Sequence, residues 1–181
     1  TALSAIDVFH RRNVNNDGTA ATTVRTLLVQ SCSKSKNRPD EAVTALDLYS
    51  GFFFRIIKKA RREGAFDPEV ELYILSAEHG LLAPETEIEW YDRKMETERA
   101  AELAPQVTQA LAARAPSYDQ IIVNAGRAYR SALYGINDDV ETPLRYIDGQ
   151  GIGEKGQILK RIVRGEAQSV TNSLVTGQEF S

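Results

Sequence analysis

The chain has 181 residues, 42% of them hydrophobic and 26% charged, with a formal net charge of -3, the profile of one globular domain around one core. So mild an acidic balance excludes any argument from bulk charge for nucleic acid or an anionic membrane, while a local basic surface for nucleic acid stays open. The single cysteine, Cys32, excludes an internal disulfide and a cysteine zinc cluster, and the two histidines, His10 and His79, are too far apart in sequence to suggest a metal site, so no metal or cofactor is expected.

No apolar run approaches the roughly 20 residues that span a bilayer, and the first residues lack a signal-peptide pattern. A cytoplasmic protein without a membrane role is the expectation; oligomeric state is not legible.

Residues 1–24 read as an irregular N-terminal arm rich in Asn, Gly and Thr, with helix only around Ser4 to Arg11. Thr26 to Val29 is a continuous apolar run, expected of a strand covered on both faces. After the polar knot Ser31-Cys32-Ser33-Lys34-Ser35-Lys36, Asp40 or Thr44 would cap a helix. Its apolar residues Leu48, Phe52, Phe53, Ile56, Ile57 and Ala60 follow three-and-four spacing, and Gly64 stops it. Val70 to Leu75 is the next strand, Thr97 to Ala115 a helix bounded by Pro116, and Tyr118 to Val123 a third strand. A short helix from Arg127 to Tyr134, a fourth strand at Leu144 to Ile147 and a helix over Gln157 to Arg164 complete the pattern. Alternating strands and helices predict a three-layer α/β fold: a mostly parallel central sheet of about four strands with helices on both faces. Residues 25–165 form that single domain, and 166–181 read as a polar tail that frays.

Parallel α/β sheets place their chemistry outside the carboxyl ends of the strands, and three predicted strands end in "SCSKSK", "SAEHG" and "NAG". In the first turn, hydroxyls, backbone N–H groups and two lysines suit an anion or a polar heterocycle. Lys34 and Lys36 pointing inward together would lower each other's proton affinity and make Lys36 a candidate nucleophile or base; a solvated basic loop is the plain alternative. Cys32 is either a small buried hydrophobe or, paired with His79, a nucleophile. In the second turn, Glu78, His79 and Gly80 follow the strand directly. Asp92, behind Trp90 and Tyr91, lies on a connection that would fold over the same edge, where a carboxylate beside aromatic rings suits general-base work. Its competing role is to cap a helix starting near Lys94.

Lys36, Asp92 and His79 are thus the catalytic candidates. Ser31, Cys32, Ser33, Lys34, Ser76, Gly80, Asn124, Gly126 and Arg127 would line the substrate, with Tyr91 or Trp90 stacking on a base. Arg127, Arg130 and Lys155 would add local positive charge. The spacing Gly151-x-Gly153-x-x-Gly156 matches a dinucleotide fingerprint but lacks the return strand and later acidic residue, and reads as a loop leading into a basic helix.

Three strings coincide: "LLVQSCSKSKN", "LDLYSGFFFRI" and "YILSAEHGLLAPETEIEWYD". Together they resemble a family of small bacterial, archaeal and phage domains that read strand, S-C-S-K-x-K, an L-Y-x-x-x-F helix, strand, S-A-x-x-G-L-L and then Y-D. That family looks related to a domain of archaeosine synthase and the tRNA-guanine transglycosylase-like group, and more distantly to the YaaA and uracil-DNA-glycosylase-like folds. In archaeosine synthase the comparable loop reads P-C-x-x-x-K-P-Y. Cys32 to Lys36 reproduces the C-x-x-x-K interval, whereas Gln30-Ser31 and Asn37-Arg38 depart from its flanks. The resemblance implies a nucleobase-shaped pocket and an enzyme of nucleobase or nucleotide modification at or near an N-glycosidic bond, of glycosidase or transglycosylase-like type, with 7-deazaguanine bases within its reach. Its substrate would be a nucleotide, a nucleobase or a nucleic acid. A non-catalytic nucleotide or nucleic-acid binding module, and a small-molecule nucleotide hydrolase or ribosyltransferase, stand as alternatives.

Overall fold

The structure is a computed structural model that describes residues 12–14 and 20–176. The helix expected around Ser4 to Arg11, with His10, lies outside the described residues. Within the arm expected to be irregular, β1 (Arg12–Val14) and β2 (Ala20–Thr22) pair antiparallel as a sheet of their own.

β3 (Thr26–Ser31) is the central strand, and its residues Thr26 through Gln30 are at most 1% exposed. That burial is why the sequence there does not alternate. The chain then crosses β4 (Val43–Thr44) into α1 (Ala45–Leu48), which Thr44 caps through its hydroxyl on the Asp47 N–H. The single helix expected from an Asp40 or Thr44 cap to Gly64 is broken here: α1 stops, Tyr49 is extended, and α2 runs from Phe52 to Arg62. Tyr49 leaves the helix because its backbone forms a bridge with Lys36, flanked by Asn37 N–H to Leu48 C=O (2.8 Å) and Ser50 N–H to Ser35 C=O (3.0 Å). α2 buries Phe54, Ile57 and Ala60, a three-residue spacing that faces the sheet; a fully buried Phe or Ile contributes about 1.5–3 kcal/mol.

β5 (Val70–Ser76) turns through Gly80, whose φ is 74°, into the antiparallel β6 (Gly80–Leu82). β7 (Glu87–Ile88) pairs with β4 and so clips the second connection to the first. α3 (Thr97–Arg114) leads to β8 (Gln120–Asn124), α4 (Arg127–Arg130), α5 (Ile136–Asp139) and β9 (Leu144–Ile147). α6 (Ile152–Arg161) begins five residues before the expected Gln157, with Gly151 as its N-cap and Gly153 and Gly156 inside it. Gly156 is a packing residue: a Cβ there would stand 2.6 Å from the Phe52 ring of α2. The segment after Gly165, expected to fray, supplies a fully buried Val170 and then β10 (Leu174–Thr176), which pairs antiparallel with β9.

The main sheet therefore has six strands in the order β10-β9-β8-β3-β5-β6, against the four expected, with the inner four parallel. The two additions are short antiparallel edge strands, where periodicity carries little signal. α2 packs with α6, and α3 with α4 and α5, giving helical layers about a mostly parallel α/β sheet. The chain leaves β3 toward β5 and then returns to the other side of β3 as β8, so a topological switch point lies between β3 and β8. Two buried side-chain pairs hold that junction in register: Gln120 Nε2 to Thr26 Oγ1 (3.0 Å) and Asn124 Nδ2 to Gln30 Oε1 (2.8 Å). A one-residue slip would orphan both amides.

Candidate functional site

At the carboxyl edge the ladder continues one residue past β3, with Cys32 N–H on Leu75 C=O (2.9 Å). The Cys32 side chain turns inward, and its Sγ lies 3.0 Å from the hydroxyl of Tyr129 on α4. This contact joins the strand ends at the switch point, where open α/β sheets bind ligands. Ser33 closes the turn by donating to Ser35 C=O (2.6 Å) and accepting from Gly51 N–H (3.2 Å). A Cβ on Gly51 would stand 2.5 Å from the Ser33 Cβ, so glycine at 51 is what lets α2 start against the loop. Lys36, half-buried and held by its bridge to Tyr49, lays its ammonium 4.6 Å from the centre of the Tyr91 ring, a cation–π contact.

The second turn organises around Ser76, which is fully buried. Its Oγ accepts from the backbone N–H groups of Glu78 (3.2 Å) and His79 (3.1 Å) and meets the Tyr91 hydroxyl at 2.9 Å. With two N–H groups filling its lone pairs, Ser76 donates to Tyr91. Tyr91 in turn meets the Tyr49 hydroxyl at 2.6 Å. Arg99 of α3 braces the turn from outside through Ala77 C=O (2.7 Å) and Glu78 C=O (2.9 Å). His79 is exposed, with its ring edge-on to Tyr91 at 5.6 Å between centres.

Burial, and after it the nearby Cys32, pushes Tyr49 up to about 12 and raises Tyr91 and Tyr129 as well. All three phenols therefore keep their protons at neutral pH and act as hydrogen-bond donors in a partly dry site. Cys32 and Lys36 of the first turn, Ser76 of the second, Tyr129 of α4, Tyr49 just past α1 and Tyr91 on the connection before α3 make two bonded groups, Cys32 with Tyr129 and Tyr91 with Tyr49, Ser76 and Lys36, which meet where Cys32 lies near Tyr49 and Tyr91.

The expected site residues divide on this geometry. Lys36, Cys32, Ser76 and Tyr91 are inside the cluster, and His79 flanks it. Cys32 bonds to Tyr129, the partner that takes the place expected for His79. Asn124 is 3% exposed, and its Nδ2 donates to Gln30 Oε1 across the sheet. Ser31 sits at the end of β3 with its carbonyl accepting from Gln30 Nε2. Ser33 is committed to the turn, Gly80 to the hairpin, where a Cβ would press on Gln106, and Gly126 to the start of α4. Lys34 and Arg127 are exposed, as is Asp92, which does not cap α3: that helix begins at Thr97 after Glu96. Glu78 pairs with Arg93 (3.3 Å), and Arg130 is buried with its guanidinium on Ala125 and Ile147 carbonyls. Trp90 stacks with Arg38, 4.7 Å from the ring centre, at the rim.

Sequence reasoning missed Tyr49 and Tyr129 as members of the site. Tyr49 falls within the expected helix without being one of its apolar positions, and its interior role depends on the helix break. Tyr129 stands three residues past Gly126, and only the Cys32 contact singles it out. Among the described residues no three His, Cys, Asp or Glu side chains gather to hold a metal ion, and no helix is long and apolar enough to cross a membrane.

The profile of a family of unknown function, DUF6884, matches residues 27–161. The chain belongs to that family. No curated protein matches it. In this DUF6884 chain the matched span carries all three turns and every member of the cluster, while β10 lies beyond it.

Proposed function

We propose that this DUF6884 protein is an enzyme of nucleobase or nucleotide modification acting at or near an N-glycosidic bond, with the phenol, thiol and lysine cluster as its binding centre. The observation that carries the reading is the meeting of Cys32 and Tyr129 across the β3–β8 switch point with Lys36 folded over Tyr91 beside them. In open α/β sheets the switch point is where ligands bind. The C-x-x-x-K interval of Cys32 to Lys36, shared with archaeosine synthase, supports the same substrate class, extending to 7-deazaguanine bases.

Each group has a role in that reading. The neutral phenols donate to carbonyl or ring-nitrogen acceptors of the base. Lys36 anchors a phosphate or supplies an amine. In hydrolysis, water oxygen bonds to the sugar carbon and the C–N electron pair leaves with the base. Asp92 or His79 would take one proton from that water while the departing base nitrogen takes one from the Lys36 ammonium, and transfer of the first proton back to Lys36 through solvent restores both groups.

A binding module is the second reading, favoured by the exposure of Asp92 outside the cluster. Incubation with nucleosides, nucleotides, tRNA and DNA, followed by mass spectrometry for released or exchanged bases, separates the two. The enzyme reading expects new masses that vanish in Lys36→Ala while the melting temperature stays nearly constant. Ligand binding with no new mass supports the module, and an active Lys36→Ala protein ends the enzymatic assignment.

A further inference from the structure

The innermost groups of the cluster are sealed: Ser76 and Tyr49 are 0% exposed and Cys32 7%. Tyr91 covers them, its hydroxyl on Ser76 Oγ (2.9 Å) and on the Tyr49 hydroxyl (2.6 Å), its ring beneath the Lys36 ammonium. Tyr91 is the one half-buried member of a strap, residues 89–94, whose other five residues are exposed. Buried side chains anchor the strap at both ends, Ile88 of β7 and Met95 ahead of α3. Between those anchors no backbone group bonds to another described residue. Beyond Tyr91 its ties are exposed ones, Trp90 on Arg38 and Arg93 to Glu78 (3.3 Å) and Glu102 (3.9 Å). A segment without backbone hydrogen bonds, held through one inward side chain, belongs to the low-stability end of a fold.

We infer that this strap is a gate and Tyr91 its plug: the strap lifts between Ile88 and Met95, and a ligand takes over the partners that Tyr91 gives up. The gate rests on the cluster being the binding centre and adds how that centre is entered. Tyr91 already has the form of a flat polar ligand, a planar ring under a lysine with one oxygen bonded at two points. Its departure leaves the hydroxyls of Ser76 and Tyr49 and the Lys36 ammonium to be satisfied again, so ligand and plug compete for the same groups. Asp92 follows Tyr91 on the strap, so the carboxylate proposed to activate water moves with the gate.

Cys32 is the chain's single thiol and lies near Tyr91, so its labelling by an aromatic disulfide reagent reads the opening with no ligand present. In the unaltered protein, labelling should outpace global unfolding and change little across urea concentrations that leave the fold intact. Tyr91→Phe keeps the ring and loses both hydroxyl bonds, and should label about tenfold to a hundredfold faster. A double variant, Trp90→Ala with Arg93→Ala, alters no member of the cluster and should label about twofold to tenfold faster. Urea unfolding of each variant supplies the correction for any loss of global stability. Labelling that follows the global unfolding curve, or that either variant leaves unchanged after that correction, overturns the gate. Inosine, adenosine, uridine and cytidine monophosphates are then added in turn. A saturable change in labelling rate with any of them supports the gate and the nucleobase reading together. Variant-sensitive labelling that none of the four alters overturns the nucleobase reading and leaves the gate standing.

Discussion

Gly51 offers the sharpest test of how the polar turn is held. Its φ of -68° and ψ of 170° are open to any residue, so glycine is required there by space alone. A methyl group would meet the Ser33 Cβ at 2.5 Å and its Oγ at 2.9 Å, and a Cβ, unlike the tip of a long side chain, cannot swing away. Gly51→Ala should therefore force the loop carrying Cys32 to Lys36 off the start of α2 and cost about 1–3 kcal/mol, as overpacking does. In a chain of this size that is a fall of about 2–12 °C in Tm. Ser33→Gly alone loses the bonds to Ser35 and Gly51 and should cost about 1–2 kcal/mol. The double variant removes the clash, leaving only the lost bonds and a cap preference against Ala of about 0.5–1 kcal/mol. Urea unfolding of all four proteins should show the double variant at least about 1 kcal/mol more stable than additivity requires. Strict additivity, or a Gly51→Ala protein as stable as the parent, would refute the packing argument.

Asn124→Ala should cost about 1–3 kcal/mol in urea unfolding by leaving the buried Gln30 carbonyl unpaired, and a paired Asn124→Leu, Gln30→Leu variant should recover much of it; no loss in the single variant would refute a register-holding pair. Alkaline titration gives a second check. Burial pushes Tyr49 and Tyr146 up to about 12 and raises Tyr91, Tyr118 and Tyr129. The native state then holds more protons than the unfolded chain once pH passes the ordinary phenol value of 10.0, so stability is full below that pH and falls as pH rises toward 12. Phenolate absorbance should appear together with loss of the fold; ionisation of these five tyrosines near pH 10 in a still-folded protein would contradict their burial.

The inner sheet was legible because β3 and β8 are buried on both faces and leave unbroken apolar runs, Thr26 to Val29 and Ile121 to Val123. α3 was legible through its spacing and Pro116. What escaped was structure set by contacts distant in sequence. β10 is three residues long and holds only because β9 offers an open edge, and the break between α1 and α2 exists only because Tyr49 bridges Lys36. The site shows the same division. The strand-end rule located the three turns and picked out Lys36, Cys32 and Ser76. It does not separate side chains that are free at the strand ends from those spent within the fold: the Ser33 hydroxyl and the Asn124 Nδ2, both expected at a ligand, bond to Ser35 and Gln30. The phenols are invisible to motif reasoning because a tyrosine on a helix reads as core until its hydroxyl finds a partner.

Backbone amide NMR under titration with a nucleoside monophosphate asks most directly whether the switch-point cluster is where this protein binds. Saturable shifts at Cys32 to Lys36, Ser76 to His79 and Ala125 to Tyr129, lost in Lys36→Ala, are the expected result. Shifts confined to the cleft at the opposite end of β5, lined by Arg61, Phe66, Val70 and Pro84, would contradict it.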